Sequence, residues 1–346
     1  MTASTRFPRS QAIAFTAATI AALLVIGATY LGSGSLTRFD TPLAAYAAAT
    51  VFAAFGLVYR YTMWVQRPPT WRYFVASFKL IARPKTFLKS IVHLVALLFN
   101  NIVAQKFIAN RGKGRWFAHM CMAWGCLLAF AITFPLSWGW VSFGHDGVGN
   151  YIVEFMGMRQ FAFPPHSIIG WAFFNGLNIS AVLVITGVAF AMHRRLFDHG
   201  AQAVQSLEND LIPLFLLFAV SVTGLMLTAS YKLMGGEHFS FLSLLHAFTV
   251  IVLLLWMPFG KLFHVFQRPA QLGVQFYKEE GSKGPQALCL RSGEPYQSQM
   301  HHDDLAQVMK EIGFDFGEHQ NLSPEEKRKL IALNQMAALG DVPFAG

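Results

Sequence analysis

The sequence predicts an all-α integral membrane protein: a bundle of about six transmembrane helices with a short cytoplasmic C-terminal tail. Three observations lead there. Of 346 residues, 54% are hydrophobic and only 13% charged, against roughly 25% charged in an ordinary soluble domain. Mean hydropathy is positive, at +0.41. The apolar residues also fall in runs of about the 20 residues that a helix needs to cross the hydrocarbon layer. In lipid such a segment must satisfy its own backbone hydrogen bonds, so each is helical.

Six segments qualify, at about 11–31, 42–64, 117–140, 166–192, 210–231 and 241–263. The first follows Arg6 and Arg9, as a secretory signal would. Ser10 to Thr37 is uncharged and longer than a signal's apolar core, so it is read as a span. Ser90 to Gln105 is uncharged too, but too short to span comfortably between Lys89 and Lys106. It is expected to lie as a helix on the cytoplasmic face or against the bundle.

The net charge of +9 does not mark a nucleic-acid surface. Lys and Arg lie in short runs beside the apolar segments, from Arg60 through Arg115, at Arg194 and Arg195, and at Lys261 and Arg268. The opposite loops hold only Arg38, Arg159 and Lys232. This positive-inside asymmetry puts both termini on the cytoplasmic side, and the expected location is a bacterial inner membrane. Four regions follow: two N-terminal spans (1–64), a basic cytoplasmic segment with an interfacial helix (65–115), a four-helix membrane domain (116–268) and the tail (269–346). In the tail, Gly281 to Pro285 reads as a flexible joint. Ser323-Pro324-Glu325-Glu326 reads as a helix start, with Ser323 as N-cap. The connection between the third and fourth spans reads as loop.

Four of the twelve histidines fall within or at the ends of spans, where ionisable groups are costly and point to function. His119 lies just inside the cytoplasmic surface and His264 at the inner end of the last span. His246 and His166 lie near the outer surface. His246 and His264 are 18 residues apart, about five turns and 27 Å on a continuous helix, so that both would face one interior. The depths pair His119 with His264 and His166 with His246, an arrangement able to clamp two haems between facing helices. Arg115 and Lys261, beside the inner pair, are candidates for the haem carboxylates. Thr223-Gly224 removes bulk where a porphyrin would approach. His93 is a surface residue or an alternative ligand. His301, His302 and Cys289 make a poor zinc set, and Cys121, Cys126 and Cys289 lack a metal-binding spacing.

Leu245-His246-Ala247 through Trp256-Met257-Pro258-Phe259-Gly260-Lys261-Leu262-Phe263-His264 resembles the last helix of the cytochrome b (gamma) subunit of respiratory nitrate reductase. It is also similar to membrane subunits of heterodisulfide-reductase-like complexes. Arg115-Trp116-Phe117-Ala118-His119 resembles that family's first ligand helix. The likeness runs over roughly residues 85–275. It implies haem b, one or two per chain, His119 paired with His264, and His246 as a ligand of the second haem. It also implies electron exchange between a cytoplasmic iron–sulfur or flavin subunit and membrane quinone. One departure stands out. The family's early helix carries a second histidine where this chain has Ala129, so His166 is assigned opposite His246 on depth alone. Two other readings compete: a transporter or proton channel with a His-lined path, and a haem-free anchor for a redox complex. Nothing in the sequence marks a quinone site.

Overall fold

The structure, a computed structural model, describes residues 3–39, 41–314 and 316–340. In chain order come α1 (Ala3–Gly32), α2 (Ala44–Val65), α3 (Pro68–Ile81), α4 (Phe87–Leu98), α5 (Lys106–Ala109) and α6 (Lys113–Ser137). Three strands follow: β1 (Val141–His145), β2 (Tyr151–Phe155) and β3 (Met158–Phe163). Then come α7 (Ile168–Phe197), α8 (His199–Val204), α9 (Ile212–Leu233), α10 (Phe239–Trp256) and α11 (His264–Ser282). The chain ends with β4 (Gln286–Leu288), β5 (Pro295–Ser298), α12 (Gln299–Glu311) and α13 (Pro324–Gly340). Two compact units result: Met1–Met63 with Ala104–Phe266, and Trp64–Val103 with Gln267–Gly346.

The first unit is the membrane bundle. Five of its helices are long and apolar enough to cross a membrane: Arg9–Gly32, Lys113–Ser137, Ile168–Phe197, Leu207–Leu233 and Phe239–Trp256. That is the property of a multi-pass membrane protein. Side chains such as Leu24, Leu244 and Phe248 stay more than 60% exposed, as lipid-facing residues do. In water, an apolar surface of that extent would be an aggregation or docking face.

The second expected span is the 22-residue helix α2. It falls outside those five, because Arg60 and three tyrosines lower its hydropathy. One face of α2 packs Ala49 and Ala53 against Leu254 and Met257. Arg60 is also satisfied: its Nη1 donates to the Pro258 carbonyl at 2.5 Å and to that of Gly260 at 3.2 Å. Its guanidinium lies 4.3 Å from the centre of the Phe263 ring.

The tightest pairing is α6 on α7, and it is built on missing side chains. A Cβ on Gly125 would lie 2.7 Å from Val184 Cγ2, and one on Gly187 would lie 2.6 Å from the Ala118 carbonyl oxygen. Ser180 Oγ, buried in the seam, donates to the Gly125 carbonyl at 2.8 Å. Small residues let membrane helices approach until dispersion and such hydrogen bonds hold them. Val184, Val188 and Leu214 continue this core onto α9.

The connection expected as loop between α6 and α7 is an antiparallel meander, β1-β2-β3. Val141 pairs with Phe155 and Tyr151 with Phe163. Met156 and Gly157 join β2 to β3 with φ of 51° and 80°, the two positive angles of a type I′ hairpin turn. Met-Gly is an unusual choice there, which hid the hairpin.

The last expected span, 241–263, is shorter than the sequence suggested. Helix α10 stops at Trp256, and Lys261–Phe263 form a 3-10 turn before α11 opens at His264. Pro258 has no N–H to continue the helical ladder. Gly260 has no room for a side chain, since a Cβ there would lie 2.4 Å from Trp256 Nε1. His246 and His264 therefore do not share one helix, and the argument from whole turns and a 27 Å rise does not hold for them.

The second unit joins two regions read separately from the sequence, the 65–103 part of the basic segment and the tail. Leu80 and Leu97 pack with Leu272, Phe276 and Tyr277. Tyr277 is fully buried. Its hydroxyl donates to Asp304 Oδ2 at 2.5 Å, and Arg72 Nε meets Asp304 Oδ1 at 2.6 Å. Burial, then the neighbouring carboxylate, pushes the Tyr277 phenol well above its usual range. Phe87–Val103 is helical but too short to count as a span, and its His93 Nε2 lies 2.6 Å from Glu279 Oε2. Gly281 is not part of a loose joint. It closes α11, and a Cβ on it would lie 2.8 Å from Ser298 Oγ. Ser323 caps α13 as expected, accepting from Glu326 N at 3.3 Å.

Ending the chain after Gly281 removes Asp304 and Met300, so Tyr277 and Arg72 lose their partners. The expected outcome is much faster tryptic cleavage at Arg72 and Lys79. Cleavage at the full-length rate would mean that 64–103 with 267–281 is stable alone.

Candidate functional site

His119 sits one turn and a half into α6, on the face that packs inward three residues from Trp116. Two bonds fix that turn. Trp116 Nε1 donates to the Ala104 carbonyl at 2.8 Å, and His119 Nδ1 lies 2.6 Å from Gln105 Oε1. Gln105 is buried at 7% exposure and holds left-handed backbone angles, φ 50° and ψ 42°. For a residue with a side chain this is a strained conformation, worth of order 1–3 kcal/mol and typical of places where geometry serves function. It follows a π turn over Phe99–Val103.

His264 opens α11, and its Nδ1 donates to the Lys261 carbonyl at 2.6 Å. A carbonyl oxygen has no proton to give, so the proton is on Nδ1 and the lone pair on Nε2. The Gln105 amide oxygen imposes the same tautomer on His119. The two rings lie 6.4 Å apart, centre to centre, at 68° to one another. Two imidazoles on opposite sides of one metal, with bonds of about 2 Å and ring atoms about 1.1 Å from the ring centre, have centres about 6.2 Å apart. The spacing of the two rings is compatible with both imidazoles binding one metal ion. An outer hydrogen bond that fixes ring and tautomer is the usual support for such a ligand.

His246, in α10, shows the same preparation. Thr223 Oγ1 lies 2.7 Å from the Ala219 carbonyl and 2.9 Å from His246 Nδ1. The hydroxyl has one proton, which the nearer carbonyl takes, so the ring donates to Thr223 and keeps its lone pair on Nε2. Gly224 lets the ring come close: a Cβ there would lie 3.3 Å from His246 Cε1. The structure does not bring His166 to it. His166 is exposed in the turn before α7, and among the described residues no ring contact or hydrogen bond joins the two. The turn ends at Ser167, which caps α7 and points the chain back into the bundle.

Of the two candidate anchors, Arg115 is exposed at the start of α6. Lys261 forms an ion pair with Asp210 at 2.6 Å, and Asp210 also faces Arg195 at 3.4 Å. Its backbone carbonyl, not its charge, touches the histidine pair. The remaining histidines have local roles. His145 stacks on Tyr151, His193 on Phe197, and His302 Nε2 lies 2.9 Å from Asn321 Oδ1. No cluster of three metal-ligating His, Cys, Asp or Glu side chains occurs among the described residues. A cavity of about 420 Å³, lined by Arg38, Thr133, Ser137 and Phe143 among others, lies at the far end of α6 from His119.

No family model, curated protein or solved structure matches the chain. The functional reading thus rests on the geometry and on the sequence motifs above.

Gln105, Thr223 and Asp210 are the functional neighbours that sequence reading missed or left open. A lone Gln between Ala104 and Lys106 carries no pattern, and its role arises only from the turn that buries it.

Proposed function

We propose that this chain is the membrane cytochrome b subunit of a quinone-linked respiratory oxidoreductase. The observation that carries the reading is the approach of His119 and His264 to 6.4 Å between ring centres, each with Nδ1 bonded to an oxygen. The resemblance of both motifs to the nitrate reductase gamma family supports it from the sequence side. Bound haem b would supply one-electron transfer at a potential set by its ligands and surroundings.

The chain's own residues hold and orient. His119 and His264 are the axial ligands of the inner site, Gln105 and Lys261 aim them, and Arg60 fixes the turn from which His264 emerges. His246, aimed by Thr223, is one ligand of an outer site whose second ligand is not His166 as folded here. In this reading both termini are cytoplasmic. An iron–sulfur or flavin subunit meets the inner side, and quinone reacts within the membrane. The chain alone is then an electron-carrying subunit, not a complete enzyme.

The test is the reduced-minus-oxidised visible spectrum of the purified full chain, with haem counted as its pyridine haemochrome. The expected result is a b-type spectrum with one or two haems per chain. A haem-free protein from haem-replete cells would overturn the reading and favour the anchor or the His-lined transporter.

A further inference from the structure

Among the described residues, two N–H groups of the membrane bundle are buried without a partner: Arg195 Nε and Trp256 Nε1. A buried donor with nothing to accept from it is costly, so each orphan in a folded protein calls for an acceptor. Guanidinium and indole are donors only. What they lack is therefore an oxygen-bearing acceptor, and the guanidinium charge favours an anion.

Contacts tie both donors to the turn that presents His264. Trp256 Nε1 occupies the space beside Gly260. Lys261 follows, and its carbonyl accepts from His264 Nδ1. Its ammonium pairs with Asp210, which also faces Arg195 Nη2. Two cations share this one carboxylate, which leaves a net positive charge beside the orphaned Arg195 edge. The Arg195 side chain is only 15% exposed, so an acceptor must reach Nε from inside the bundle.

We propose that Arg195 and Trp256 are the anchor for a carboxylate of the haem assigned above to His119 and His264. This replaces Arg115 and Lys261 in that role and rests on the proposed function. Arg195 gives its Nε edge to the carboxylate while Asp210 holds Nη2, and Trp256 adds a neutral donor. Charge-assisted bonds of this kind are about twice as strong as neutral ones. A phospholipid phosphate is the other oxyanion with suitable chemistry, and the experiment separates the two.

The experiment is a redox titration of the haem in the purified full chain, with haem content measured in parallel. Arg195→Gln is expected to lower the midpoint potential of the inner haem, because the lost positive charge had favoured the reduced form. Trp256→Phe, which removes only the N–H, gives a smaller shift in the same direction. Arg195→Lys keeps the charge and restores most of the potential, which a purely structural role would not do. Potentials equal to wild type in both Arg195→Gln and Trp256→Phe, with haem present, overturn the anchor and leave the proposed function standing. A shift that vanishes after delipidation assigns the acceptor to lipid phosphate and also overturns it. A wild-type chain without haem overturns the proposed function, and the anchor with it.

Discussion

Replacing His119 or His264 with Ala is expected to remove one b haem per chain while leaving the bundle folded. The two parts of that expectation have separate physical grounds. His119 loses one hydrogen bond to Gln105 and a ring contact with His264. Leaving the buried Gln105 oxygen without its partner costs roughly 1–3 kcal/mol, and a partly exposed side chain leaves little cavity. The helices therefore persist. Haem held by His119 and His264 would lose one of its two protein ligands in either variant and would dissociate on purification. Pyridine haemochrome gives the count and circular dichroism reports the fold. Each variant should drop by one haem with its helix content unchanged, and the double variant should drop by no more than either single one. Wild-type haem content in both single variants would remove His119 and His264 from the site. Additive losses in the double variant would mean that they hold different haems.

Gly187→Val is expected to be the most damaging single substitution outside the histidines. A Cβ at this position meets the Ala118 carbonyl oxygen at 2.6 Å and Met122 N at 2.8 Å. Both are backbone atoms of α6, so no side-chain rotation relieves the overlap. Overpacking typically costs 1–3 kcal/mol and occasionally more, and two rigid helices in contact along their length belong at the upper end. The displaced segment of α6 also carries His119, the residue after Ala118. Haem loss should therefore accompany loss of folded protein, with Gly187→Ala intermediate in both. Fluorescence-detected size exclusion measures the folded fraction. Wild-type yield and haem content in Gly187→Val would show that α6 and α7 do not pack as closely as described.

Much of this architecture was legible in the sequence for a simple reason. In lipid a helix must close its own hydrogen bonds, so an apolar run of sufficient length declares its structure without reference to the rest of the chain. Helices α1, α6, α7 and α9 follow their apolar runs closely. The start of α13 is equally local, since Ser323 needs only the N–H three residues on. The pairing of His119 with His264 was also expected, though partly through a step that fails. The two histidines of the 246–264 stretch were aligned by counting turns along one helix, and Pro258 and Gly260 interrupt that helix. His264 reaches His119 because the turn ahead of it is fixed by Arg60 from α2, some 200 residues away in sequence.

What the sequence by itself determined is the membrane bundle and the presence of imidazole at the ends of its helices. Both follow from local patterns, namely apolar length, charge at the loop ends, and imidazole at a helix end. The tertiary structure alone decided four things. The tail and the 64–103 segment form one unit around Tyr277. Gln105 and the Lys261 carbonyl bond the Nδ1 atoms of His119 and His264. His166 stands apart from His246. The buried donors lie on Arg195 and Trp256, not on Arg115 and Lys261. Each of these depends on groups far apart in sequence meeting in space. A hydrogen bond or a buried orphan is a property of the meeting, and no residue carries it beforehand.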